Sequence, residues 1–220
     1  MSRAEVVLFD LDGTLVDSAP DLAGAANDQR AAHGLPPMAF TQLRALVGSG
    51  ARGMVGAAFG LKPGDDGYAA LRDEFLQRYC QRLLRQTTVF DLMHEVLASL
   101  GRAGIPWGIV TNKALYMAQP IVDGLGLSPN CRVLISGDST AFTKPHPEPL
   151  YEAARRLGVA PERCVYLGDD ARDVLAGRAA SMATLVAAWG YLGNESPIQS
   201  WGADAVLESP PALLKWLELA

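Results

Sequence analysis

Two aspartates, Asp10 and Asp12, follow directly on the apolar run Val6, Val7, Leu8, Phe9 and open the segment Asp10-Leu11-Asp12-Gly13-Thr14. A short continuous apolar run ending in polar residues reads as a buried strand, so both carboxylates are delivered to its carboxyl end. A carboxylate held there can attack phosphorus, and a second one two residues on is free to move protons. Both also offer hard oxygen to a divalent metal. An EF-hand calcium loop is a competing reading. It requires acidic groups at loop positions one, three and five, glycine at six and a helix before it. Here Gly13 arrives at position four, Leu11, Leu15 and Val16 are apolar, and a strand precedes. A merely solvated acidic turn is the other alternative.

Three further clusters carry matching chemistry. Thr111 and Asn112 follow the apolar stretch 105–110, Lys144 stands in Thr143-Lys144-Pro145-His146-Pro147, and Asp169, Asp170 and Asp173 follow 164–167. An anionic nucleophile approaching an anionic phosphate is repelled unless positive charge intervenes, and magnesium together with Lys144 would supply it. Asp10, the backbone carbonyl of Asp12 and Asp169 would give Mg2+ its oxygen ligands, while the Thr111 hydroxyl and nearby N–H groups suit the remaining phosphate oxygens. Each cluster alone has a plainer explanation. Thr111 and Asn112 are good helix caps, Lys144 fits an exposed loop, and an acidic helix start complements the helix dipole. What links them is that strands end beside them in order.

The elements that must position these groups follow from the hydrophobic pattern. Strands are expected at 6–9, 105–110, 132–135, 164–167, 183–187 and 205–207, with helices at 115–124, 148–157 and 171–180 between them. Such alternation predicts an α/β fold with a Rossmann-like doubly wound parallel sheet, in which ligands collect beyond the carboxyl strand ends. Residues 17–86 break the alternation and read as four helices. Ser18 with Pro20 starts one, Gly34 with Pro36 and Pro37 ends it, and the last is expected over 67–86 with Leu71, Phe75, Tyr79 and Leu83 as a packed stripe. The expected division is therefore a core of 1–16 and 87–220 with an inserted helical domain, 17–86.

Composition narrows the partners. With 19 basic against 24 acidic residues the net charge is −5, which argues against nucleic acid as a partner. Cys80, Cys131 and Cys164 show no CxxC spacing, so neither a disulfide framework nor a zinc site is suggested. The three histidines, His33, His94 and His146, are scattered and do not form a metal set. No apolar run approaches the ~18 residues of a membrane span. A soluble cytoplasmic protein, monomer or homodimer, acting on a small molecule is the expectation.

Across nearly the whole chain the sequence resembles the haloacid dehalogenase superfamily. FDLDGT resembles its first motif, VTN its second, Lys144 in KPHPEP its third and GDDARD its fourth, and the helical insertion resembles its C1 cap. The resemblance implies that Asp10 becomes an aspartyl-phosphate, that Asp12 protonates the leaving oxygen and then activates water, and that Lys144 neutralises charge. It likewise implies phosphate binding by Thr111, Asn112 and Lys144, Mg2+ at Asp10, Asp12 and Asp169, and a supporting role for Asp173. Asp12 points to phosphatase chemistry, because a dehalogenase needs no acid for its leaving group. Phosphoglucomutases share the same motifs, and a non-catalytic phosphate-binding module is a further reading. DGTLVDSAPDL resembles phosphoglycolate phosphatases, whereas VGSGARGMV, WGYLG and WGADAV resemble N-acetylmuramic acid 6-phosphate phosphatases. Arg52 in that glycine-bounded segment would pair with a substrate carboxylate, its alternative being a surface arginine. One departure stands out: Val89-Phe90-Asp91-Leu92 replaces a proline-glycine turn common in relatives.

Overall fold

The computed structural model describes residues 4–193 and 196–219. The chain enters through β1 (Val6–Phe9), whose four residues are all buried, as a run of apolar β-formers with no polar face requires. A short β2 (Val16–Asp17) leads to α1 (Ala19–Ala32), which has Ser18 at its N-cap and Pro20 in its first turn, where a missing N–H costs nothing. Then come α2 (Phe40–Arg44), α3 (Gly50–Phe59), α4 (Tyr68–Cys80) and β3 (Thr88–Val89). The remainder runs α5 (Met93–Arg102), β4 (Trp107–Val110), α6 (Leu115–Gly124), β5 (Cys131–Ile135), α7 (Glu148–Leu157), β6 (Cys164–Gly168), α8 (Ala171–Ala179), β7 (Ala183–Ala187), β8 (Ala205–Leu207) and α9 (Ala212–Trp216).

Among the described residues β1, β4, β5, β6, β7 and β8 form one sheet in the order β5-β4-β1-β6-β7-β8, parallel throughout. Chain order reverses at β1, which lies between β4 and β6 and so marks the topological switch point where such sheets bind ligands. Register does the positioning. Phe9 is level with Ile109 and Leu167, so Asp10, Thr111 and Asp169 emerge at one edge of the sheet. Below them Val6, Leu8, Val110, Ile135 and Tyr166 pack with Leu150, Ala153 and Ala154 of α7 and Ala176 of α8. Each large apolar side chain removed from water there contributes about 1.5–3 kcal/mol.

The chain divides into two compact units, 1–16 with 89–220, and 17–88. In the second unit α1 packs against α2, α3 and α4. The last helix is shorter than its apolar spacing predicts and stops at Cys80, so that Phe75 and Tyr79 are buried and stacked at 6.4 Å while Leu83 lies past the helix end. Past Cys80 the N–H groups of Arg82 and Arg85 donate to the third carbonyl back, those of Tyr79 and Arg82. Further on, Asp21 Oδ2 accepts from the N–H groups of Gln86 and Thr87 and from the Thr87 hydroxyl, each at 2.8 Å, so the helix does not resume there. A further helix beyond those the hydrophobic pattern predicts, α5, has as its N-cap Leu92, which adopts φ +66° although its side chain favours negative values. Leu92 belongs to the segment that departs from the proline-glycine turn.

Candidate active site at the carboxyl edge of the sheet

Lys144 is the hub of the site. The lysine is buried, not on an exposed loop, and its ammonium faces four oxygens: Asp10 Oδ1 at 2.9 Å, Asp173 Oδ1 at 2.7 Å, the Tyr166 hydroxyl at 2.8 Å and the Val110 carbonyl at 3.1 Å. Burial pulls the lysine pKa down, but Asp10 and Asp173 together outweigh it and leave it raised. The same environment acts on Asp10, pushing its carboxyl from the ordinary 3.8 up to about 6. Burial dominates that shift, the Lys144 charge opposes it, and the neighbouring Asp173 and Asp12 add to it.

Asp169 is held from several sides. Thr14 Oγ1 donates to its Oδ1 at 3.1 Å and the Tyr191 N–H to its Oδ2 at 2.8 Å. A Cβ placed on Gly13 would overlap the Asp169 carboxylate, and one on Gly190 would overlap the Asp169 Cβ, so two glycines let the backbone close around this side chain. Gly13 also sits at φ +83°. Burial, then the charges of Asp10 and Asp173, push the Asp169 carboxyl well above its ordinary range.

Asp10, Asp169 and Asp173 bring carboxylate oxygens within 4.8 Å of one another. Crowded carboxylates with little access to water suit a hard divalent cation, whose charge offsets their mutual repulsion, and the all-oxygen donor set fits Mg2+. Asp173 is already engaged on both oxygens. Its Oδ1 meets Lys144 and the Tyr166 hydroxyl, which donates at 3.0 Å, and its Oδ2 accepts from the Asp170 N–H at 3.1 Å in a capping box at the start of α8. The acidic start of α8 is thus a helix cap as well, through Asp170 and Asp173.

Thr111, Asn112 and Lys113 form the turn after β4, and none of them caps α6, whose N-cap is Ala114. Thr111 is buried, and its Oγ1 accepts from the Lys113 N–H at 3.2 Å. Asn112 faces the Lys144 backbone, accepting from its N–H at 3.0 Å and donating to its carbonyl at 2.9 Å. That contact holds the Lys144 backbone in place. Asp12 meets a residue that the sequence reading missed, Lys113, whose Nζ lies 2.8 Å from Asp12 Oδ1. The signal was modest: a lysine directly beyond a strand end, next to two residues already singled out. Tyr166 and Gly190 were missed as well, the one because it lies inside a strand and the other because its use is purely steric. Arg52 is in α3 of the second unit and is exposed.

No helix of the described residues is long and apolar enough to cross a membrane. A family model described as haloacid dehalogenase-like hydrolase matches residues 4–181. The chain is 50% identical over 216 residues to a phosphoglycolate phosphatase of Xanthomonas campestris pv. campestris (strain 8004), covering 97% of this chain and 96% of that one. It is 42% identical over 218 residues to an N-acetylmuramic acid 6-phosphate phosphatase of Pseudomonas aeruginosa, covering 99% and 96%. Among solved structures, that of a predicted phosphoglycolate phosphatase from Haemophilus somnus 129PT superposes with a TM-score of 0.87 at 27% identity, covering 98% of this chain and 99% of that one. With a doubly wound parallel sheet, carboxylates gathered at its switch point and this likeness over nearly its whole length, the chain belongs to the haloacid dehalogenase-like hydrolase family.

Proposed function

We propose that this hydrolase is a Mg2+-dependent phosphatase that takes 2-phosphoglycolate to glycolate and phosphate through an aspartyl-phosphate on Asp10. The observation that carries the reading is the 2.9 Å contact between Asp10 Oδ1 and the buried Lys144 ammonium, with Asp12 two residues further on. A nucleophile, a fixed cation and a second carboxylate are the parts that phosphoryl transfer requires.

Asp10 attacks phosphorus, the bond from phosphorus to the ester oxygen breaks, and Asp12 gives its proton to that oxygen as it takes the electron pair. Asp12, now ionised, accepts a proton from the water that attacks phosphorus in the second half, which frees phosphate and restores Asp10. Lys144 offsets negative charge beside Asp10, and the Thr111 hydroxyl, which accepts from Lys113, keeps its own proton for a phosphate oxygen. Asp10, the Asp12 carbonyl and Asp169 would hold Mg2+, which supplies the charge that lets an anionic nucleophile and an anionic ester meet. Arg52, exposed in the 17–88 unit, is the proposed partner of the substrate carboxylate.

The 42% identity to the Pseudomonas aeruginosa phosphatase over 99% of the chain favours a second substrate, N-acetylmuramic acid 6-phosphate, which also bears a carboxylate. Phosphate release from the two esters, measured side by side with Mg2+ and with a chelator, separates these readings. The substrate with the higher kcat/KM identifies the activity, and no Mg2+-dependent release from either rejects both. Asp10→Asn should abolish turnover while leaving the melting temperature near wild type. Retained turnover rejects the nucleophile.

A further inference from the structure

We propose that Lys113 is a positioning residue for Asp12, holding that carboxylate where it meets the leaving oxygen. The inference rests on the reading of Asp12 as the group that protonates that oxygen.

Lys113 is an unusual lysine. A flexible ammonium normally trails into water, yet this side chain is only 7% exposed, and its Nζ lies 2.8 Å from Asp12 Oδ1. Its backbone is fixed on both sides. The Lys113 N–H donates to Thr111 Oγ1 at 3.2 Å, and its carbonyl accepts from the Gly137 N–H at 2.8 Å, beyond the end of β5. A Cβ on Gly137 would overlap the Asn112 carbonyl, so the two strand-end turns interlock at this point. The ammonium therefore reaches Asp12 from a rigid base.

Asp12 itself stands on a turn. The Gly13 N–H donates to the Val16 carbonyl at 2.9 Å, and Asp12 bridges to Val16, which fixes the Asp12 backbone. The charge-assisted hydrogen bond from Lys113, a donor on a fixed backbone, narrows the torsions of the Asp12 side chain. Proton transfer rewards such restraint, because the acid must lie within hydrogen-bond reach of the ester oxygen as that oxygen takes the electron pair of the breaking bond to phosphorus. Three consecutive residues thus divide the work: the Thr111 hydroxyl accepts from the Lys113 N–H, Asn112 sets the Lys144 backbone, and Lys113 sets Asp12.

The test turns on leaving groups. An alkyl phosphate departs as a basic alkoxide and needs the proton, whereas p-nitrophenyl phosphate departs as a stabilised phenolate and needs it little. Lys113→Gln, assayed with Mg2+, should lower kcat on the better of 2-phosphoglycolate and a hexose 6-phosphate by about 100-fold, and on p-nitrophenyl phosphate by less than about 10-fold. Lys113→Arg, which keeps the charge, should restore most of the difference. If Lys113→Gln proves unstable by thermal melting, Lys113→Met gives the same ratio. Equal losses on both esters, no loss on either, or a Lys113→Arg variant as selective as Lys113→Gln overturn the inference. An inert Asp10→Asn alongside equal losses overturns this inference alone, whereas an active Asp10→Asn overturns the nucleophile and this inference with it.

Discussion

The carboxamide of Asn112 holds the backbone of Lys144 at both polar atoms, accepting from its N–H at 3.0 Å and donating to its carbonyl at 2.9 Å across 32 residues of sequence. The lysine that meets Asp10 is thus set by a side chain that need not touch substrate.

Removing that grip should move Lys144 without removing its charge. Asn112→Ala leaves two backbone groups unpaired and should lower kcat/KM by about 10- to 100-fold, the equivalent of roughly 1.4–2.8 kcal/mol. Steady-state kinetics on the preferred ester checks this. Wild-type kinetics in Asn112→Ala would show that the grip is dispensable.

Asp173 works from the other side of Lys144 and also caps α8. Asp173→Asn keeps the shape but removes the charge, so its main effect should fall on catalysis. Asp173→Ala should also lose about 1 kcal/mol from the cap and about 1–3 kcal/mol from buried groups left unpaired. Urea unfolding of the two variants separates the contributions: equal stability of Asp173→Asn and Asp173→Ala would dismiss the cap.

Gly190 lies against Asp169. A Cβ there would overlap the Asp169 Cβ and come within 2.6 Å of the Gly13 carbonyl oxygen, so Gly190→Ala must displace the aspartate. The expected result is an apparent Mg2+ affinity at least about 10-fold weaker, the scale on which losing support for a metal ligand is felt. Activity titrated against Mg2+ reads it directly, and an unchanged midpoint would count against Asp169 as a ligand.

Stability should depend on pH and metal in a specific direction. Asp10 has a folded pKa of about 6, above its ordinary 3.8, through burial opposed by Lys144 and reinforced by Asp173 and Asp12. The native state therefore holds this proton more tightly than the unfolded chain. The contribution is fully present below about pH 4 and is lost as pH rises through about 6, by roughly 3 kcal/mol at neutral pH. In chelator, this component of the melting temperature should fall between pH 4 and pH 7. Mg2+ at 100 times its Kd should restore about 2.7 kcal/mol at pH 7, which is about 5–10 °C, and less at pH 5. A melting temperature at pH 7 that ignores Mg2+ would argue against the cation.

Leu92 occupies φ +66°, with half its surface in water. A left-handed conformation costs a non-glycine residue roughly 1–2 kcal/mol. Glycine relieves it but gains freedom in the unfolded chain, so Leu92→Gly should raise stability by about 1 kcal/mol or less. Calorimetry checks the sign, and a lower melting temperature would show that the leucine side chain contributes contacts that outweigh the strain.

Much of this molecule was legible in the residues themselves. Strand runs and helix stripes depend on neighbours within a few positions, so the alternation of β and α and the carboxylates at strand ends can be read directly from the chain. Helices Leu115–Gly124 and Glu148–Leu157 fall where the pattern predicts them. The path of the chain after α4 was not legible, because Asp21, more than sixty residues earlier, takes the N–H groups of Gln86 and Thr87. Nor were the pairings of Lys113 with Asp12 across 101 residues or of Asn112 with Lys144 across 32. The sequence by itself determined which chemical groups stand at the strand ends. Only the tertiary structure decided which of them touch, because contact between distant residues depends on the register of β1 against β4 and β6 and on where glycines allow the backbone to close in.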